Sequence, residues 1–260
     1  MTKILSVVGR LLAQYLNKER PGYAGVDSSH AEQFLASLRP GDVLLVEGST
    51  RFSTAIKYLT QSTWSHSALF IGTGHGASIP SGHCFVEADI LAGVRTVGFD
   101  EYRNFNMRIC RPVGLSTQDC QRVVGYAMAR LGNQYDLRNV VDLVRYLIAT
   151  PPVPQTYRRR MIALGSGDPT RAICSTLIAQ AFQSIRYPIL PIVEQQSIDS
   201  PDCRGCTREI LHIRHHSLFA PRDFDLSPYF QVVKPELAED FDFKSLNWDD
   251  SNLSNDGTKS

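Results

Sequence analysis

The 260-residue sequence lacks a long hydrophobic run and a strong excess of either charge. No apolar stretch reaches the ~18–20 residues that cross a bilayer, which argues against a transmembrane helix. The 27 Lys and Arg residues balance 26 Asp and Glu residues at a net charge of +1. A dedicated nucleic-acid-binding protein needs a clear basic excess, so we expect no nucleic-acid partner. The apolar share of 43% is that of an ordinary globular protein.

The two ends of the chain differ from its body. Residues 1–16 carry apolar side chains at helical spacing, interrupted by Arg10 and Gln14, and no cleavage site of small residues follows. We therefore expect no signal peptide, a cytoplasmic location, and a helix that packs on the core or touches a membrane or partner. Residues 236–260 hold seven acidic and two basic residues, and we expect them to form a disordered acidic tail. The rest of the chain is then mildly basic.

The six cysteines are too scattered for a disulfide framework, and the chain is large enough for a real core, so we expect a reducing, intracellular setting. They are Cys84, Cys110, Cys120, Cys174, Cys203 and Cys206. The spacing of Cys203 and Cys206 is half of that in a zinc knuckle, and three histidines follow, at His212, His215 and His216. A structural metal site and a pair of simple loop cysteines both remain open there.

Strand patterns precede helix patterns along the chain. Short apolar runs bounded by turn residues predict strands at 43–46, 65–72, 84–88, 93–97 and 107–111, with a short helix at 53–60. Helical spacing predicts a helix capped by Ser116 or Thr117, and further helices that begin at 136 and at 173. After Pro188 we expect irregular chain and a late strand at 230–233. This segregated order predicts an α+β fold with an antiparallel sheet.

Cys174 begins a predicted apolar helix. A helix N-terminus offers free N–H groups and partial positive charge, which lower the pKa of a thiol and favour a nucleophilic thiolate. The other interpretation is a small buried side chain, which describes most free cysteines. Cys84, Cys110 and Cys120 lie within predicted strands or a helix body, where we expect no such activation.

His66 and Glu87 supply the partners that a thiol nucleophile needs. His66 shares one face of its predicted strand with Ala68 and Phe70, so its ring is partly desolvated and held in orientation, as a general base requires. Glu87 lies among apolar residues of the strand predicted to pair with that of His66, where an unpaired acid is unfavourable. A hydrogen-bonded core histidine and a surface glutamate are the alternatives.

Tyr135 stands between two predicted helices, where its hydroxyl could turn inward toward an oxyanion. The backbone N–H groups near Cys174 are a second source of such donors. A tyrosine that only packs is the alternative. A helix-start cysteine, a strand histidine and an acid on the neighbouring strand together match the components of a cysteine hydrolase.

Five motifs, taken as a set and in this order, resemble the permuted NlpC/P60 cysteine hydrolases of the YiiX/YaeF type, also described as permuted papain-like amidases. They are Arg39-Pro40-Gly41-Asp42-Val43-Leu44-Leu45, residues 64–72 around His66, Val86-Glu87-Ala88, residues 132–136 around Tyr135, and Ile173-Cys174-Ser175. The resemblance covers roughly residues 39–182, with a looser match at 221–233. Relatives often carry an acid two residues after the cysteine, where this chain has Thr176.

The resemblance implies a circularly permuted papain-like α+β fold, with an antiparallel sheet or small barrel packed against helices and the nucleophile at a helix N-terminus. It implies Cys174 as nucleophile, His66 as base, Glu87 as the polar third member and Tyr135 as a helper near the oxyanion. The chain then divides into an N-terminal helical extension at 1–38, a catalytic domain at 39–235 and an acidic tail at 236–260.

We therefore predict a cysteine peptidase or amidase that cleaves a peptide or lipid-amide bond through a thioester, without a metal or organic cofactor. Two alternatives stay open. One is a lipid acyltransferase or esterase of the lecithin-retinol-acyltransferase-like branch, which the N-terminal stretch and Arg158-Arg159-Arg160 favour. The other is a non-catalytic binding module with a papain-like groove. The predicted partner is a small-molecule, peptide or lipid substrate, with peripheral membrane contact as a further option, and the sequence leaves the oligomeric state open.

Overall fold

The computed structural model describes residues 31–74, 79–89, 92–133, 173–200 and 203–234. The helices in these ranges are α1 (Ala31–Ser37), α2 (Arg51–Thr60), α3 (Thr117–Met128), α4 (Ile173–Ser184) and α5 (Pro221–Asp225). The strands are β1 (Val43–Val46), β2 (His66–Phe70), β3 (His83–Asp89), β4 (Gly93–Gly98), β5 (Met107–Pro112), β6 (Ile192–Ser200), β7 (Cys203–His212) and β8 (Phe230–Val233). The predictions for the first 30 residues, the helix at 136–149, Tyr135, Arg158-Arg159-Arg160 and the acidic tail fall outside the described residues.

Six strands form one antiparallel sheet in the order β4-β3-β2-β1-β5-β8. The predicted antiparallel sheet with helices is confirmed, and each of its strands lies within about two residues of the predicted bounds. The helix predicted from Ser116 or Thr117 begins at Thr117, where the Ser116 hydroxyl accepts the Asp119 N–H. A side-chain oxygen at this position satisfies one of the free N–H groups of the first turn.

The sheet is buried on both faces. On one face, α4 packs Leu177, Ile178 and Phe182 against Leu69 and Val86. On the other face, side chains of α1 and of the chain around residue 100 pack against β1, β2 and β3, and these are Phe34, Phe99 and Tyr102 against Leu44, Phe70 and Phe85. This explains why β1 reads as an unbroken apolar run, since a central strand covered on both sides has no polar face.

The irregular chain predicted after Pro188 is wrong. Residues 192–212 form an antiparallel hairpin of β6 and β7, a two-stranded sheet separate from the main one, and Cys203 and Cys206 lie in a strand instead of a loop. The sequence pattern did not predict these strands, because β6 is largely polar after Val193. A two-stranded sheet apart from the main core is under weaker pressure to alternate apolar and polar residues, and that alternation is the main sequence signal for a strand.

The motif at residues 39–42 serves the fold. Gly41 turns the chain with φ +92°, a conformation that glycine adopts without strain. The buried carboxylate of Asp42 then accepts the Arg39 N–H at 2.8 Å and the Arg111 guanidinium at 2.7 and 2.9 Å. Arg111 also donates to the Ser37 carbonyl at 2.6 Å. The motif therefore ties the end of α1 to β5.

Asp42→Ala is expected to lower the free energy of unfolding by about 3–5 kcal/mol, because the substitution leaves a largely buried Arg111 without its carboxylate. Urea denaturation measures this loss. Asp100→Ala is the matched control, since its pair with Arg103 is exposed on both sides and such pairs contribute less than about 1 kcal/mol. Equal losses in the two variants would show that the Asp42 pair does not stabilise the fold.

Candidate active site

The predicted pairing of the strands of His66 and Glu87 is confirmed. β2 and β3 are antiparallel with Leu69 opposite Val86, a register that places Glu87 across from Ala68, two residues from His66 on the same face. The side chains meet there, with His66 Nε2 at 2.6 Å from Glu87 Oε2. Glu87 is only 4% exposed, while the His66 side chain keeps 25% of its surface open.

Cys174 is the second residue of α4, and its side chain is buried. The body of α4 packs on one face of the sheet, and Ala68 and Phe70 lie on the other. The Cys174 thiol, at the beginning of α4, meets the His66 ring at the start of β2. The thiol and the imidazole are hydrogen-bonded. The structure thus brings a sulfur, an imidazole and a carboxylate into one chain of hydrogen bonds.

The electrostatics of the pair favour its charged form. Burial raises the pKa of the Cys174 thiol, but the charge of His66 and hydrogen bonds from His66 and Ser67 outweigh it and hold the pKa below the ordinary value. Burial lowers the pKa of His66, but Cys174 and Glu87 outweigh it and raise that pKa well above 6.5. The arrangement therefore favours a thiolate beside an imidazolium. The main cause is His66, whereas the sequence pointed to the helix N-terminus.

For three other cysteines in the described residues, the thiol pKa is raised instead of lowered. Burial raises the pKa of the Cys110 thiol to about 12. Burial also raises the pKa of Cys84 and of Cys120. These thiols stay protonated and unreactive near neutral pH. The contrast within one chain marks Cys174 as chemically distinct.

Two residues that the sequence analysis missed hold the Glu87 carboxylate. Tyr102 donates its hydroxyl to Oε2 at 2.5 Å, and Arg95 donates to Oε1 from Nε at 2.8 Å, with its Nη2 forming an ion pair to the same oxygen at 2.7 Å. Burial raises the pKa of Glu87, but His66, Tyr102 and Arg95 together lower it to about 2. Glu87 is therefore an anion at any physiological pH, fixed on both oxygens.

Arg95 had a sequence signal, because β3 and β4 form a tight hairpin in which Glu87 and Arg95 are direct cross-strand partners. Tyr102 had none, since it follows the short 3₁₀ helix Phe99–Glu101 and reaches Glu87 only through the tertiary fold.

The pair opens onto a cleft of about 190 Å³ at the ends of β1 and β3. Polar side chains line one part of it, including Thr50 and Ser65, and the aromatic rings of Phe52 and Phe105 line another. Such a cleft can hold a small acyl group beside the sulfur, and its apolar walls exclude part of the water.

The remaining predicted residues lie elsewhere. Tyr135 is outside the described residues. His212 bonds to Glu194 at 2.8 Å on the hairpin, and His215 caps the short 3₁₀ helix that follows. In the part of the chain that the structure describes, no group of three His, Cys, Asp or Glu side chains could hold a metal ion. Among the same residues, none of the helices has the length and apolar character needed to cross a membrane.

A match to a family of known proteins supports the resemblance drawn from the motifs. Residues 37–146 match the family described as permuted papain-like amidase enzyme, YaeF/YiiX, C92 family, a range that includes His66, Glu87 and Tyr135 and ends before Cys174. A curated protein of Escherichia coli (strain K12) named "Probable lipoprotein peptidase YaeF" is 21% identical over 216 residues, 77% of this chain and 72% of that protein. The solved structure of metalloprotein YiiX from Escherichia coli O157:H7 covers 77% of this chain and 98% of its own, at 16% identity and a TM-score of 0.44.

Proposed function

We propose that this chain, which matches the permuted papain-like amidase family over residues 37–146, is a cysteine hydrolase that cleaves an amide bond. The observation that carries the proposal is the hydrogen-bonded series Cys174–His66–Glu87, in which the pKa of the thiol is lowered and that of the imidazole is raised. A relative named a probable lipoprotein peptidase supports a peptide or a lipid-linked amide as the substrate.

In the proposed mechanism the Cys174 thiolate attacks the carbonyl carbon and forms a tetrahedral oxyanion. The C–N bond then breaks as the His66 imidazolium gives its proton to the leaving amine, which leaves a thioester on the sulfur. His66, now neutral, takes a proton from a water molecule as that water attacks the thioester. The carboxylic acid product leaves, which regenerates the Cys174 thiolate beside a protonated His66. The cycle needs no metal or organic cofactor.

Glu87 keeps the imidazolium stable and oriented. Its charge raises the pKa of His66, and its bonds to Tyr102 and Arg95 stop the carboxylate from rotating away. An oxyanion requires N–H or O–H donors close to the sulfur. The Cys174 backbone N–H is one such donor, because the N–H groups of the first helical turn have no intrahelical acceptor. Tyr135 remains the proposed second donor by the resemblance.

Thiol alkylation tests the proposal without knowledge of the substrate. Iodoacetamide at pH 7 followed by peptide mapping is expected to label Cys174 at least about tenfold faster than Cys84 or Cys110, because of these three thiols only that of Cys174 has a pKa below its ordinary value. His66→Ala is expected to reduce labelling of Cys174 by about tenfold or more, since the cation that stabilises the thiolate is gone. Slow labelling of Cys174 in the native chain, at the rate of Cys110, would reject the proposal.

A further inference from the structure

A second surface, which shares no residue with the lining of the cleft, exposes apolar side chains at the base of the β6–β7 hairpin. Four of them are exposed: Ile192 (60%), Val193 (49%), Leu211 (43%) and Ile213 (62%). Ile192 lies opposite His212, on the other face of the hairpin from Val193. Val193 and Leu211 are direct cross-strand partners and Ile213 lies two residues from Leu211, so these three side chains form one patch. We call it the hairpin patch. A contiguous exposed apolar patch is a marker of an interaction surface.

The hairpin patch continues into an apolar groove. This cavity of about 450 Å³ lies between the C-terminal end of α4 and the hairpin, and Leu211 and Ile213 form one of its walls. The other walls are largely apolar: Tyr187, Pro188, Ile189, Leu190, Pro191 and Phe219. The volume lies in the range of ligand sites, roughly 300–1,000 Å³. The groove and the patch together can receive an apolar body larger than a single side chain.

The charged residues that line the groove are both cationic, Arg186 and Arg214. Arg186 follows the last turn of α4 in a left-handed conformation with φ 58°, and its side chain is exposed. The Arg214 guanidinium stacks over the Phe219 ring at 5.2 Å, which holds it at the rim. Neither guanidinium has an ion-pair partner among the side chains that the structure describes, and Glu194 of the hairpin is bonded to His212.

We propose that the hairpin patch, the groove and the two arginines form a docking surface for an anionic lipid membrane. Exposed aliphatic side chains enter the interfacial region of a bilayer, and an apolar groove can take an acyl chain. Arginines at the rim of that groove attract the anionic headgroups and add about 1 kcal/mol each to the binding. An apolar surface bordered by cations is complementary to anionic lipid, and this inference is independent of the chemistry at Cys174.

Flotation of the full chain with vesicles tests the proposal. We expect association with phosphatidylcholine vesicles that contain 30 mol % phosphatidylglycerol, and much weaker association with pure phosphatidylcholine. Val193→Ser combined with Ile213→Ser is expected to lower the partition coefficient at least about tenfold, because both side chains are largely exposed and are buried only on binding. Arg186→Ala combined with Arg214→Ala is expected to lower the partition coefficient about thirtyfold, because each arginine contributes about 1 kcal/mol of attraction to the anionic headgroups.

Matched controls distinguish binding through this surface from nonspecific binding to vesicles. Leu226→Ser removes an apolar side chain that is 52% exposed outside the hairpin patch, and Arg122→Ala removes an exposed cation on α3. Both controls should bind vesicles like the native chain. Circular dichroism confirms that the four variants are folded. The proposal is overturned if the native chain does not float with anionic vesicles, or if the hairpin and arginine variants float as well as the controls.

Discussion

Cys174→Ala is expected to abolish turnover, with kcat/KM reduced on the order of 10⁴-fold or more, because it removes the sulfur on which the acyl intermediate forms. The substitution removes one small atom group from a buried position and leaves the His66–Glu87 hydrogen bond in place. We therefore expect the fold to persist. A screen of peptide amides, lipid amides and acyl esters against the native chain supplies the substrate on which the variant is compared.

Cys120→Ala is the matched control, since it removes a thiol of the same size whose pKa is raised and which bonds to the Pro40 carbonyl far from the cleft. Its kcat/KM should stay within about twofold of that of the native chain. Turnover by the Cys174 variant within tenfold of the native rate would contradict the mechanism. It would support the interpretation of this chain as a binding module with a buried, unreactive cysteine.

The sequence predicted the part of the site that strands position. His66 and Glu87 lie on strands that follow each other in the chain and pair with each other, so their meeting follows from local pairing and period-two alternation. The central strand at 43–46 was equally clear, because both of its faces are buried and its residues are uniformly apolar. Both features follow from patterns within a few neighbouring residues, which is why they could be predicted from the sequence.

The rest of the site depends on contacts between distant segments. Tyr102 reaches Glu87 from a 3₁₀ turn with no periodic pattern, and the lowered pKa of Cys174 comes from a residue 108 positions away along the chain. The hairpin β6–β7 was missed for a related reason, since it makes its own two-stranded sheet and its sequence is free of the alternation that a buried face imposes.

Glu87→Gln is expected to have the second largest effect, because it removes the charge that His66, Tyr102 and Arg95 all share. Without that charge the pKa of His66 falls. The native chain should show a bell-shaped profile of kcat/KM against pH, rising as the Cys174 thiolate forms and falling only well above pH 6.5, as the His66 imidazolium with its raised pKa loses its proton. In the variant the alkaline limb should move to lower pH, and kcat/KM should fall on the order of 10²–10⁴-fold.

The same substitution has a signature in stability. The native pKa of Glu87, about 2, lies below its ordinary value of 4.5, so ionised Glu87 contributes about 3 kcal/mol that is fully present above pH 4.5 and is lost as pH falls through 2. Urea denaturation of the native chain and of the Glu87 variant should therefore differ most above pH 4.5 and converge toward pH 2. Glu101→Gln is the control, because it removes an exposed carboxylate from the same cleft and does not contact His66. If the two variants shared one pH profile, the buried carboxylate would have no part in setting the charge of His66.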